Sequence, residues 1–200
     1  MHGNVDALID RLSALLGADH VSRDPFERLA VGRSAAPIST KIAAFVREQS
    51  PFSAAVWPGS AQEVADAIRL CVEHRCPIVP YGGGSGICGG VDIETASVAI
   101  DTKRLCQFEV NADNAMARAG AGLFWQELED NLQMHGWANR YFPQSGHSAT
   151  VGGMVSTRGI GVLSGRIISC IPACWECTET AAAGLSGSSV LQWRIGERRT

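Results

Sequence analysis

The segment with the most evident chemistry is Val79-Pro80-Tyr81-Gly82-Gly83-Gly84-Ser85-Gly86-Ile87-Cys88-Gly89-Gly90. Six of the nine residues 82–90 are glycine. A simple turn needs only about one or two. A run of small residues after a strand lets several backbone N–H groups face one way. It also lets a ligand approach the main chain without meeting a side chain, the geometry of a nest for phosphate oxygens. We read the segment as a phosphate-binding loop in preference to a surface turn.

Two familiar phosphate loops can be set aside. Gly84-Ser85-Gly86-Ile87-Cys88-Gly89 is a literal G-x-G-x-x-G, but a dinucleotide fold needs that motif to open a helix facing the pyrophosphate. Here Gly90 and then VDIETASVAID follow, β-branched and without a helical stripe. A P-loop fails because no Gly-Lys-Ser/Thr occurs, so no lysine or hydroxyl is placed for the β/γ-phosphates and Mg²⁺. A second glycine-rich stretch lies at 146–165, with six more glycines. It contains Thr150-Val151-Gly152-Gly153-Met154-Val155-Ser156, preceded by Pro143-Gln144-Ser145-Gly146-His147. Glycine and hydroxyl residues together suit hydrogen bonding to a polar cofactor.

A third constellation is Cys170-x₃-Cys174-x₂-Cys177, the C-x₃-C-x₂-C spacing of radical SAM enzymes with a [4Fe–4S] cluster. Thiolates so spaced can also hold zinc. Only 23 residues follow Cys177, too few for a radical SAM barrel, and no histidine after His147 offers a fourth zinc ligand. We expect no metal site. His147 reads as a loop residue, and His2, His20, His74 and His135 as terminal, loop or helix-end residues. Arg158 and Arg166 read either as solvated or as partners of an anionic substrate or phosphate, and Trp57, Trp125 and Trp137 as packing residues.

The elements that must position these loops follow from periodicity. Val5, Leu8, Ile9, Leu12, Leu15 and Leu16 form a helical stripe over 5–16 that Gly17 ends. Residues 18–58 read as irregular, broken by Pro25, Pro37, Pro51 and Pro58, with a strand at 54–57. Ser60 and Glu63 make a capping box for a helix that buries Val64, Ala67, Ile68, Cys71 and Val72. Strands are predicted at 77–81, 97–101, 106–110 and 115–120, and a helix over 123–135 that buries Leu123, Leu128 and Leu132. Residues 54–101 therefore read as β-α-β-loop-β, an α/β unit.

Composition bounds the rest. The chain has 200 residues, 46% hydrophobic and 18% charged, with net charge −3. That is long enough for a core without disulfides and too acidic for a nucleic-acid or anionic-membrane footprint. No run reaches the roughly 18 apolar residues of a membrane span, and the first residues lack the pattern of a secretory leader. Seven cysteines, an odd number, argue for reduced thiols and a cytoplasmic setting.

The series SAQEVADAIRLC, IVPYGGGSGICGG, SVAID, AGAGLFWQELE and PQSGHSATVGGMVSTRGIG resembles the FAD-linked oxidases with a PCMH-type, or vanillyl-alcohol oxidase type, FAD-binding domain. In style it is nearest the alkyldihydroxyacetonephosphate synthase, D-lactate dehydrogenase and glycolate oxidase group. The resemblance implies an α+β fold of two α/β subdomains with FAD between them, the second subdomain incomplete. It implies that Gly82, Gly83, Gly84, Ser85 and Gly86 hold the FAD pyrophosphate. Pro143 and Ser145 would line the flavin side, and Thr150, Gly152, Gly153 and Ser156 would form a second contact. Some members attach FAD through a histidine of the first loop. None occurs at 75–134, so FAD is expected to be non-covalent.

By the same resemblance, residues 1–50 are a lead-in and 51–166 a partial FAD domain. Leu163-Ser164-Gly165-Arg166 keeps the pattern; from Ile167 the sequence leaves it, without the expected strand rhythm. We expect 167–200 to be a non-homologous tail of a truncated or frame-shifted product, with weak FAD retention. The function implied is flavin hydride transfer from a small hydroxy acid or related substrate. The alternatives are an inactive FAD- or nucleotide-binding fragment and the FAD domain of an alkyl-transferring synthase. No residue is assigned a catalytic role, and the oligomeric state is left open.

Overall fold

The structure, a computed structural model, describes residues 2–35, 52–91, 93, 95–139, 142–159, 161, 174–177, 190–194 and 196–197. Helix α1 (His2–Leu16) buries Leu8, Ile9, Leu12 and Leu16 of the predicted stripe and leaves Val5 and Leu15 half-buried at its edges. Gly17, at φ +89°, closes it by donating its N–H to the Ser13 carbonyl. Strand β1 (Val21–Ser22) and helix α2 (Pro25–Val31) then occupy a region that the sequence presents as irregular. The cause is Asp24-Pro25. The Asp24 carboxylate accepts from the N–H groups of Phe26 and Glu27, and proline suits the first helical position, where no N–H is needed.

Strand β2 (Phe52–Val56) leads to helix α3 (Ala61–Glu73), capped as predicted. Ser60 Oγ accepts from Glu63 N at 3.1 Å, while Glu63 Oε2 accepts from Gly59 N at 2.7 Å, one residue earlier than in the usual box. Val64, Ala67 and Cys71 are buried. Val72, predicted inside, is 54% exposed because it lies on the far edge of the stripe.

Strands β3 (Ile78–Tyr81) and β4 (Ser97–Asp101) complete the first sheet, in the order β1-β2-β4-β3. β2, β4 and β3 are parallel and β1 is antiparallel to β2. All five residues of β4 are buried, as a central parallel strand covered on both faces requires. On one face Val56, Val98 and Ile100 pack under Leu8, Leu12 and Leu16 of α1 and Ala67 and Cys71 of α3. On the other, Phe52, Ala55, Val79, Tyr81 and Ala99 pack with Val31 of α2. The β-α-β-loop-β reading of 54–101 describes this unit well.

Strands β5 (Phe108–Asn111) and β6 (Met116–Gly120) form an antiparallel pair, followed by helix α4 (Trp125–Met134), strand β7 (Trp137–Ala138) and helix α5 (Val151–Ser156). Their core is Ala117, Ala119, Leu123, Trp125, Leu128, Leu132, Ala149, Val151 and Met154. Beyond residue 167, where no strand rhythm is expected, the structure places β8 (Cys174–Cys177), β9 (Val190–Arg194) and β10 (Gly196–Glu197). β9 pairs antiparallel with β6, giving the order β5-β6-β9-β8, and β10 pairs with β7. The free edge of β6 presents unpaired N–H and C=O groups, and an apolar strand such as Val190-Leu191-Gln192-Trp193 satisfies them. Cys174 and Cys177 lie at the two ends of β8, and Cys170 falls outside the described residues. Among the described residues, no helix is long and apolar enough to cross a membrane.

Candidate cofactor site

The glycine loop leaves the C-terminal end of β3, beside the C-terminal end of β4. In open α/β sheets this is the edge at which ligands bind. Gly82, Gly83, Gly84 and Ser85 are half-buried and Gly86 is exposed. Among the described residues, no backbone N–H from Gly82 to Gly86 donates to a protein acceptor. Half-buried donors left over in this way are what a bound anion would satisfy.

The loop is pinned from outside. A Cβ on Gly83 would lie 1.6 Å from the Ser148 carbonyl oxygen, and one on Gly82 would lie 2.3 Å from Thr150 Oγ1. The two glycine-rich stretches therefore touch main chain to main chain. Gly84, at φ +65°, sits under the Tyr81 hydroxyl and the Arg33 carbonyl. That hydroxyl lies 3.2 Å from both the Ala30 and Arg33 carbonyl oxygens and donates its proton there, tying the end of α2 to the loop. Burial pushes the Tyr81 phenol up from its ordinary pKa. The Asp101 carboxylate adds to the rise and the Arg33 guanidinium opposes it. Gly86 has nothing within 4 Å of a built Cβ.

The second stretch uses its donors internally. Thr150, 1% exposed, caps α5 by accepting from Gly153 N at 3.4 Å. Val151 N–H donates to Leu123 O and Gly152 N–H to Ala121 O at 2.9 and 2.8 Å. Gly152 is required by that approach, since a Cβ would fall 2.8 Å from Ala121 Cβ. Upstream, Ser145 O accepts from Ser148 N and Ala149 N, and buried Pro143 bridges to Gly161. The carbonyls of Gly146 and Ala149 accept from Gln126 N and Trp125 N at the start of α4. Ser156 is exposed at the far end of α5, and His147 is exposed in its turn. So Gly82 meets Thr150 directly, and Gly83 meets the backbone of Ser148 and Ala149. Gly152 turns toward Ala121, and Pro143 and Ser145 stand in the coil leading to Thr150.

Two neighbours of the loop, Asp101 and Lys103, are not among the site residues expected from the sequence. Asp101, 1% exposed, pairs with Lys103 Nζ at 2.5 Å and accepts from Lys103 N at 3.0 Å. The same Nζ lies 3.4 Å from the Gly82 carbonyl oxygen and 4.7 Å above the centre of the Tyr81 ring. The one hint was an acidic residue ending the otherwise apolar strand Ser97-Val98-Ala99-Ile100-Asp101. Among the described residues, no group of three or more metal-ligating side chains occurs.

A family model described as an FAD binding domain matches residues 52–170, and the chain belongs to that family. It is 34% identical over 107 residues to D-lactate dehydrogenase from Archaeoglobus fulgidus, covering 54% of this chain and 24% of that protein. It is 33% identical over 112 residues to alkyldihydroxyacetonephosphate synthase from Caenorhabditis elegans, covering 54% of this chain and 19% of that one. The chain thus spans about a quarter or less of the length of these relatives. A solved alkyldihydroxyacetonephosphate synthase superposes with a TM-score of 0.86 at 18% identity, covering 96% of this chain and 40% of that one. The fold is that of PCMH-type FAD-binding domains, as the sequence resemblance implies, and FAD is the cofactor of the family.

Proposed function

We propose that Gly82–Gly86 hold the diphosphate of a non-covalently bound FAD, in the FAD-binding part of an FAD-linked oxidoreductase acting on a small hydroxy acid. The observation that carries this reading is the row of backbone N–H groups in that loop, half-buried from Gly82 to Ser85, that donate to no acceptor among the described residues. They offer an anion the several backbone donors that it needs. Gly82 and Gly83 allow the close approach, Gly84 supplies the positive-φ bend, and Ser85 adds a hydroxyl. Thr150, Gly152 and Gly153 stand behind the loop as its frame and second contact, the amides of Gly152 and Gly153 being already bonded within the chain. Pro143 and Ser145 face the flavin end, and Ser156 offers an exposed hydroxyl on α5. Bound FAD supplies hydride acceptance. The residues described here bind and orient it, and none is assigned a role in substrate chemistry. The absence of histidine at 75–134 supports non-covalent binding, and cysteine usage supports a cytoplasmic setting.

The test is the absorption spectrum of the purified chain with and without added FAD. A flavin spectrum that moves wholly to the supernatant on acid precipitation supports the reading. Colour left in the pellet overturns the non-covalent part, and no flavin uptake overturns the whole. Bleaching by 2-hydroxy acids supports oxidoreductase chemistry. Its absence in a flavin-loaded chain favours a catalytically silent FAD module or an alkyl-transferring synthase, the second reading raised by the similarity to the nematode synthase.

A further inference from the structure

A loop of glycines has no side chains to hold its peptide planes, so the direction of its donors must be set from outside. Lys103 does this. Its ammonium has three N–H donors, and each has a destination: Asp101 Oδ2 at 2.5 Å, the Gly82 carbonyl oxygen at 3.4 Å, and the face of the Tyr81 ring. Asp101 is buried and is also held by Lys103 N, so the anion is a fixed anchor. With Gly82 C=O turned toward Lys103, the planar trans peptide turns the following Gly83 N–H the opposite way. That N–H is among the loop donors with no acceptor among the described residues.

We propose that Lys103, anchored by Asp101, is a positioning residue that sets the direction of the Gly82–Gly83 peptide and so readies the loop for a diphosphate. The proposal rests on the reading of the loop as the FAD diphosphate site. Lys103 acts through the peptide and does not itself contact the anion.

The experiment titrates the full chain and its variants with FAD and, separately, with ADP as a flavin-free diphosphate. Lys103→Met is expected to weaken both ligands by about tenfold or more, with Lys103→Arg within about threefold of the parent. The tenfold loss should be the same at about 0.05 and 0.5 M NaCl, because a charge contacting phosphate directly would be screened and a peptide direction would not. Lys103→Met leaves Asp101 buried and unpaired, which can prevent folding. In that event the double variant Asp101→Asn, Lys103→Met is read in its place.

Affinity within about threefold of the parent in the Met variant overturns the proposal. So does failure of Lys103→Arg to restore binding, or a loss that shrinks at high salt. A parent chain that binds ADP and not FAD removes the flavin reading while still testing Lys103 on ADP. A parent that binds neither removes both.

Discussion

Gly83 and Gly86 sit three positions apart in one loop and meet opposite demands. A methyl on Gly83 would run into the Ser148 carbonyl oxygen, and one on Gly86 would enter open space. Gly83→Ala is therefore expected to destabilise the chain by about 1–3 kcal/mol and to weaken FAD at least about tenfold. Gly86→Ala should leave both nearly unchanged. Flavin-fluorescence titration with thermal unfolding separates the two, and equal behaviour would refute the pinning by Ser148.

Cys71 allows a second residue-level prediction. Burial pushes its thiol up from 9.0 to about 12, and neighbouring Cys76 adds to the rise. The folded state thus favours the neutral thiol. Its contribution is complete below the ordinary thiol range and is lost as pH climbs from about 9 toward 12. Cys71→Ala should flatten the fall of unfolding free energy between about pH 9 and 11, measured by denaturant titration. The raised Cys76 and Tyr81 titrate in both proteins, so an unchanged slope would count against Cys71. At this scale the sequence displays the loop and hides its supports. Which glycine is pinned depends on Ser148 and Tyr81, and Lys103 looks like any solvated lysine until Asp101 is seen beside it.

At the scale of elements, α3 shows a local code read almost in full. The Ser60 hydroxyl satisfies a first-turn N–H, and Ser60→Ala is expected to lower stability by about 1 kcal/mol in equilibrium unfolding. A change below about 0.3 kcal/mol would mean that water replaces the cap without loss. The strands at 97–101 and 115–120 and the helices at 5–16 and 123–135 were legible because their patterns repeat within a few residues. Helix α2 was not. Asp24-Pro25 carries a capping signal, but proline among other prolines reads first as a breaker. β1 is two residues long and exists only because β2 offers an edge. β8 and β9 were also illegible, because a strand recruited to the free edge of β6 needs no strict alternation of its own.

At the scale of the whole molecule, the two layers meet at the glycine contacts between loop and frame, so a ligand held there bears on both. Saturating FAD at about 100 times its dissociation constant should add about 2.7 kcal/mol to the unfolding free energy. Thermal unfolding with and without FAD measures this, and a midpoint unmoved by FAD would contradict binding to the native state.

The β-α-β-loop-β order was legible in the sequence; the strand order was not, since nothing local says that the last strand of the unit takes the central place. That placement has a consequence for how the chain comes together. β2 and β3 share no ladder; β4 joins them, and it is made after both and after the glycine loop. During synthesis the growing chain therefore holds β2 and β3 without the strand that joins them until Asp101 has emerged. The glycine loop must close before the central strand can insert. The segment that receives the anion is thus also the tether that lets the last-made strand reach its place between two earlier ones.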